Sequence, residues 1–80
     1  GRFAEAEQAY RRALDLDPNS ERVHRNLGVL LDLYLQQPAE ALAHYETALS
    51  LRGGEDKQMS GWIAELKQRL GGQKTAQVQP

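Results

Sequence analysis

Apolar residues fall along this chain in four runs, each with the spacing of one helix face. Ala6, Tyr10, Ala13 and Leu14 lie at i, i+4, i+7 and i+8. Val23, Leu27, Leu30, Leu31 and Tyr34 lie at i, i+4, i+7, i+8 and i+11. Ala41, Tyr45, Ala48 and Leu49 repeat the first spacing, and Met59, Trp62, Ile63, Leu66 and Leu70 form the fourth run. At about 3.6 residues per turn such positions stack into a single stripe, so each run predicts an amphipathic helix. The prediction is four helices, over about residues 3–16, 21–36, 38–51 and 55–70, in an all-α fold.

The residues between the runs fit as punctuation. Pro18 stops the first helix, because proline disfavours helical geometry in the residue before it. Asp17-Pro18-Asn19-Ser20 is then a turn, with Asn19 or Ser20 as the next N-cap. Pro38 suits the first position of the third helix, where its missing N–H does no harm. Gly53-Gly54 ends that helix, one of the two in the left-handed conformation. Gly28 sits inside the second helix, at a cost of up to ~1 kcal/mol relative to alanine. The expected compensation is close approach of the paired helix. Residues 71–80 have no periodicity and read as a disordered tail.

The first and third helices are also copies of one another. FAEAEQAYRRALDL (Phe3–Leu16) and PAEALAHYETALSL (Pro38–Leu51) share Ala4/Ala39, Glu5/Glu40, Ala6/Ala41, Tyr10/Tyr45, Ala13/Ala48, Leu14/Leu49 and Leu16/Leu51. A self-match at a period of 35 residues points to a stacked helical repeat. The run Gly1-Arg2-Phe3-Ala4-Glu5-Ala6, Tyr10, Ala13-Leu14, Leu16-Asp17-Pro18-Asn19 resembles the second helix and exit turn of a tetratricopeptide repeat (TPR). Val23-His24-Arg25-Asn26-Leu27-Gly28-Val29 resembles the first helix of the next repeat, with Leu27-Gly28 at the usual Leu-Gly. Three features depart from the pattern: Pro38 replaces an aromatic, Arg52-Gly53 stands for Asp-Pro, and one extra residue lies in the stretch 33–37.

The resemblance implies a TPR-type α-solenoid of antiparallel helix pairs over residues 1–70. Residues 1–19 would form half a repeat, 20–53 a full repeat and 55–70 a capping helix. Because the chain opens mid-repeat, it reads as the C-terminal part of a longer TPR protein. The first helix then lacks its partner, and Phe3 and Tyr10 are expected to be partly exposed or covered by a second copy. Bacterial TPR proteins, cell-envelope assembly factors among them, share this look, which implies a soluble protein of the bacterial cytoplasm or envelope.

Composition removes several function classes. Ten Lys and Arg stand against eleven Asp and Glu, for a net charge of −1, so no basic footprint for nucleic acid exists. No apolar run is long enough for membrane insertion. With no cysteine, neither a disulfide framework nor a thiolate metal site is available. His24 and His44 form no HExxH pair, and no phosphate loop or nucleophile elbow is present. No catalytic, cofactor or metal residue is expected. Trp62 and the tyrosines arrive at core spacing, Trp62 as the residue that seals the capping helix.

One pattern remains. Arg22, Asn26, Val29 and Leu33 follow at intervals of four, three and four on a second face of the second helix, flanked by Arg25 and Asp32. The first helix of a TPR lines the family's concave surface, so the resemblance implies that these six residues meet a partner protein or peptide. Asn26 suits a peptide backbone, Arg22 and Arg25 a carboxylate, and Val29 and Leu33 apolar side chains. The expected function is a non-catalytic interaction or scaffold module. The alternative is a structural cap of a longer array, or self-association through the face of the helix over residues 3–16.

Overall fold

A computed structural model describes the backbone of residues 2–78 and the side chains of residues 2–71. Among the described residues there are four helices and no strand: α1 (Phe3–Leu16), α2 (Glu21–Val29, continued by a π-helical turn over Leu30–Tyr34), α3 (Pro38–Leu51) and α4 (Lys57–Val78). Neighbours in sequence pack on one another, α1 on α2, α2 on α3 and α3 on α4. This is the stacking of consecutive helices that the resemblance implies. The Cα envelope measures 46 × 32 × 18 Å, and its short edge is about two helix diameters.

Local chemistry sets the ends. The Ser20 hydroxyl accepts the Val23 N–H at 3.3 Å, and the Asp56 carboxylate accepts the Met59 N–H at 3.0 Å, so each caps the helix after it. Gly53 and Gly54 both have positive φ, +88° and +85°, where the sequence predicts one left-handed residue. The backbone of α4 runs on to Val78, past Leu70, over a stretch whose sequence predicts disorder. Once a helix is nucleated, each added residue gains a hydrogen bond for one further pair of fixed dihedrals. Gln79 and Pro80 lie outside the described residues.

The core is Leu27, Leu30, Leu31, Ala41, Tyr45, Ala48, Met59, Ile63 and Leu66, all apolar but for one phenol. It sits between α2, α3 and α4, while α1 buries no residue fully. Gly28 is the point of closest approach. A Cβ built there would lie 2.6 Å from Tyr45 Cε1, 2.7 Å from Cδ1 and 3.4 Å from the Ala41 carbonyl. The ring cannot retreat freely, since Tyr45 is buried against Trp62 at 5.3 Å between centroids. Burial, and secondarily the charge of Asp32, push its phenol up to about 12.

Where the periodicity predicts α-helix to Gln36, the chain widens into a π turn at Leu30. The Leu35 N–H bonds the Leu30 carbonyl at 3.0 Å, five residues back, and the Gln37 N–H bonds Leu31 O at 2.8 Å. The extra residue is thus absorbed inside the helix and its exit, where Gln36 has φ +54°. The π turn also changes which way the residues after it face. Tyr34, a core position by α-periodicity, is 54% exposed, and Leu35 packs on the core instead.

Two stability measurements check this account. Gly28→Ala gains ~1 kcal/mol of helix propensity, yet the clash with Tyr45 is expected to leave the protein ~1–3 kcal/mol less stable by urea denaturation; a more stable variant refutes the close-approach role. Gln36→Gly relieves a left-handed side chain and is expected to raise stability by about 1 kcal/mol.

Candidate functional site

The exposed face of α2 forms the floor of a groove of about 770 Å³. Arg25, Asn26, Val29, Leu30, Asp32 and Leu33 supply the floor; Phe3, Ala6 and Tyr10 of α1 stand on one side, and Trp62 and Glu65 of α4 on the other. Five of the six residues expected at a partner surface are therefore brought together. Arg22 is not: it is exposed and does not line the groove, because it precedes the part of α2 that α1 and α4 flank.

Each end of the groove is fixed by a ring contact. Phe3 stacks on Tyr34 with centroids 4.6 Å apart and planes at 24°. This contact exists because the π turn brings Tyr34 out of the core and towards the start of α1. At the opposite end the Arg25 guanidinium lies 5.7 Å from the Trp62 ring centroid, with Tyr45 behind the indole. Asp32 is held by Arg69 at 3.1 Å, and the same guanidinium takes Glu65 at 3.3 Å. Beside them Leu33 is 64% exposed. Five large apolar side chains are exposed among the described residues, and Phe3, Leu33 and Tyr34 of this groove are three of them.

Phe3, Tyr34, Trp62 and Glu65 join the groove without having been expected there, and a signal for two of them is present in the sequence. The stripe Asn26, Val29, Leu33 recurs 36 residues later as Trp62, Glu65, Arg69, with the same intervals of three and four. Trp62 is thus a groove residue, half-buried, rather than a sealed core residue. Tyr34 had no such signal, because its facing depends on the π turn.

The histidines meet outside the groove, between α2 and α3. Their Nδ1 atoms are 3.0 Å apart, and His24 Nε2–H donates to the Pro18 carbonyl at 2.8 Å. A carbonyl only accepts, so His24 Nε2 carries a proton, and a single proton is shared between the facing nitrogens. Burial, then the nearby charges of His24 and Arg11, hold His44 below the usual imidazole range, against a weaker pull from Glu40. Glu40 is bonded to Arg11 at 2.6 Å, and Arg11 also takes Glu7 at 2.8 Å. That links α1 to α3. No cluster of three or more metal-binding side chains occurs among the described residues. None of their helices is long and apolar enough to cross a membrane.

The family model described as TPR repeat matches residues 1–33, which cover α1, the Pro18 turn and α2 as far as Leu33. Together with the stacked helices, this match supports a TPR-family protein. The family is in general one of protein–protein interaction modules, typically non-catalytic. Comparison with curated proteins and with solved structures gives no match.

The histidine pair predicts a pH dependence. His44 is neutral-favouring in the folded chain, so the unfolded chain binds more protons once pH falls below 6.5. Stability contributed above that value is lost as pH drops through the depressed folded pKa, when a second proton forces the facing nitrogens apart. Thermal melts from neutral to acid pH are expected to show this decline, and His44→Gln to flatten it.

Proposed function

We propose that the chain is a non-catalytic protein–protein interaction module that receives a segment of a partner protein in the groove over α2. The observation that carries this reading is the clustering of exposed apolar side chains: Phe3, Leu33 and Tyr34 share one concavity with Val29 and the half-buried Trp62. Exposed apolar groups that converge in a groove, rather than scatter, mark binding surfaces. A groove of about 770 Å³ falls within the ordinary size of a binding cleft. Its walls are helices fixed by packing and by the Asp32–Arg69–Glu65 contacts, so little ordering is needed on binding. Phe3, Tyr34 and Trp62 supply aromatic anchors, and the Asn26 amide supplies hydrogen bonds to a peptide backbone.

The alternative, a structural cap or self-associating module, draws on a different observation. Helix α1 buries no residue fully, and Leu16 is 89% exposed. Concentration-dependent dimers in sedimentation equilibrium, abolished by Leu16→Glu, are what this alternative requires.

The groove reading is tested by affinity capture from native extract. Arg22→Ala, outside the groove, is expected to retain the captured protein. Val29→Glu/Leu33→Glu, folded by circular dichroism, is expected to lose it, with affinity reduced at least about 100-fold by a charge in an apolar contact. Retention by the double variant moves the binding surface elsewhere.

A further inference from the structure

We infer that the groove is under proton control: acid splits the facing His24–His44 pair, loosens the start of α2 from α3 and releases whatever the groove holds. The inference rests on the groove reading above and concerns the regulation of that site. The two imidazoles meet edge to edge, with ring centroids 5.3 Å and Nδ1 atoms 3.0 Å apart. His24 Nε2–H donates to the Pro18 carbonyl, so the neutral His24 ring keeps its lone pair at Nδ1, and His44 Nδ1–H donates to it. One added proton still leaves a donor facing an acceptor. Two leave N–H facing N–H and cation facing cation, and the contact opens.

The surroundings add to this. Burial disfavours a charge on His44 first, and then the positive charges of His24 from α2 and Arg11 from α1, with Glu40 of its own helix pulling the other way. Glu40 is already bonded to Arg11, which also takes Glu7 of α1.

The pair stands where the packing is thinnest. Residues 21–26, the start of α2, include no buried residue; burial begins at Leu27. The ties of this stretch to its neighbours include three polar contacts: His24 to His44, His24 to the Pro18 carbonyl, and Glu21 to Arg52 at 3.4 Å. Among side chains of these kinds, imidazole is the one whose ordinary titration falls between about pH 5 and 8. Segments with little burial also open locally at less cost than the whole fold.

Opening there reaches the groove. Arg25 and Asn26 of its floor belong to this stretch, and Tyr45, next to His44 in sequence, backs Trp62 on the far wall. The buried residues from Leu27 to Leu31 hold the rest of α2 in place. An occupant that needs the closed groove and protons that need the open pair therefore oppose each other, and each weakens the other by the same factor. With His44 held below its ordinary 6.5, the closed form is favoured at neutral pH and gives way as pH falls below that value.

The test uses a peptide without histidine, aspartate or glutamate, selected on the protein from a random linear display library at neutral pH and lost with Val29→Glu/Leu33→Glu. Its affinity, read by fluorescence anisotropy, is expected to fall about ten-fold between about pH 7.5 and 5.5, with helix content by circular dichroism unchanged. Trp62 is the chain's one tryptophan, and its emission in the free protein is expected to shift to the red over the same range. His24→Gln and His44→Gln are each expected to bind the peptide at neutral pH and to lose the acid decline. A flat profile in the parent, or a decline that persists in both glutamine variants, overturns the proton control and leaves the groove reading standing. Helix content lost in step with affinity replaces local release by unfolding and overturns it too. Selected peptides that all survive Val29→Glu/Leu33→Glu bind elsewhere and overturn both.

Discussion

The approach of α3 to α2 at Gly28 is the constraint on which the remaining packing depends. Because no side chain stands at that position, the Tyr45 ring can lie against the α2 backbone. Its other face is then free to meet Trp62, which brings α4 alongside the helix pair. Trp62 in turn holds Arg25, so a residue of α2 is positioned by a chain of contacts that leaves α2, crosses α3 and α4, and returns. The helix-propensity cost of glycine is offset by this packing, in which Leu27, Leu31, Ala41 and Ala48 are completely buried.

The second organising feature is the π turn. It bends the rule that one stripe of α2 faces the core from end to end. Before Leu30 the stripe is α-helical; after it, the core position passes to Leu35 and Tyr34 is released to the surface. Tyr34 then closes one end of the groove with Phe3. Single π turns concentrate at functional sites, and here the physical reason is visible: an inserted residue re-aims an aromatic side chain without interrupting the backbone hydrogen bonds.

Much of this architecture is legible in the sequence. Four amphipathic runs, Pro18, Pro38 and Gly53-Gly54 define the helices closely, and Gly28 already points to a close contact. The groove-facing stripe of α2 can be told apart too, since Arg22, Asn26, Val29 and Leu33 keep the intervals of the core stripe but run one residue out of phase with it. What the sequence does not give is the effect of the extra residue. A loop insertion and an insertion within the helix have the same length, and only the second turns Tyr34 outward. The role of Trp62 was hidden for a different reason. An indole satisfies a core pattern and a groove pattern equally, and the packing of Tyr45 beneath it decides between them. Arg22 shows the converse, a residue in register with the stripe but beyond the reach of the neighbouring helices.

The position of the extra residue has a consequence for how related sequences are matched to this one. An alignment ordinarily assigns a one-residue difference to the loop between helices, here the Gln36-Gln37 segment. If the gap is placed there, Leu33 and Tyr34 are equated with residues that occupy an uninterrupted α-helix in the relative. Each position of mismatch rotates a side chain by about 100° around the axis. A core residue of one protein would then be scored against a groove residue of the other, and the surface would look variable for a purely geometric reason. With the gap moved to Leu30–Tyr34, where the helix itself holds the insertion, like faces are compared with like.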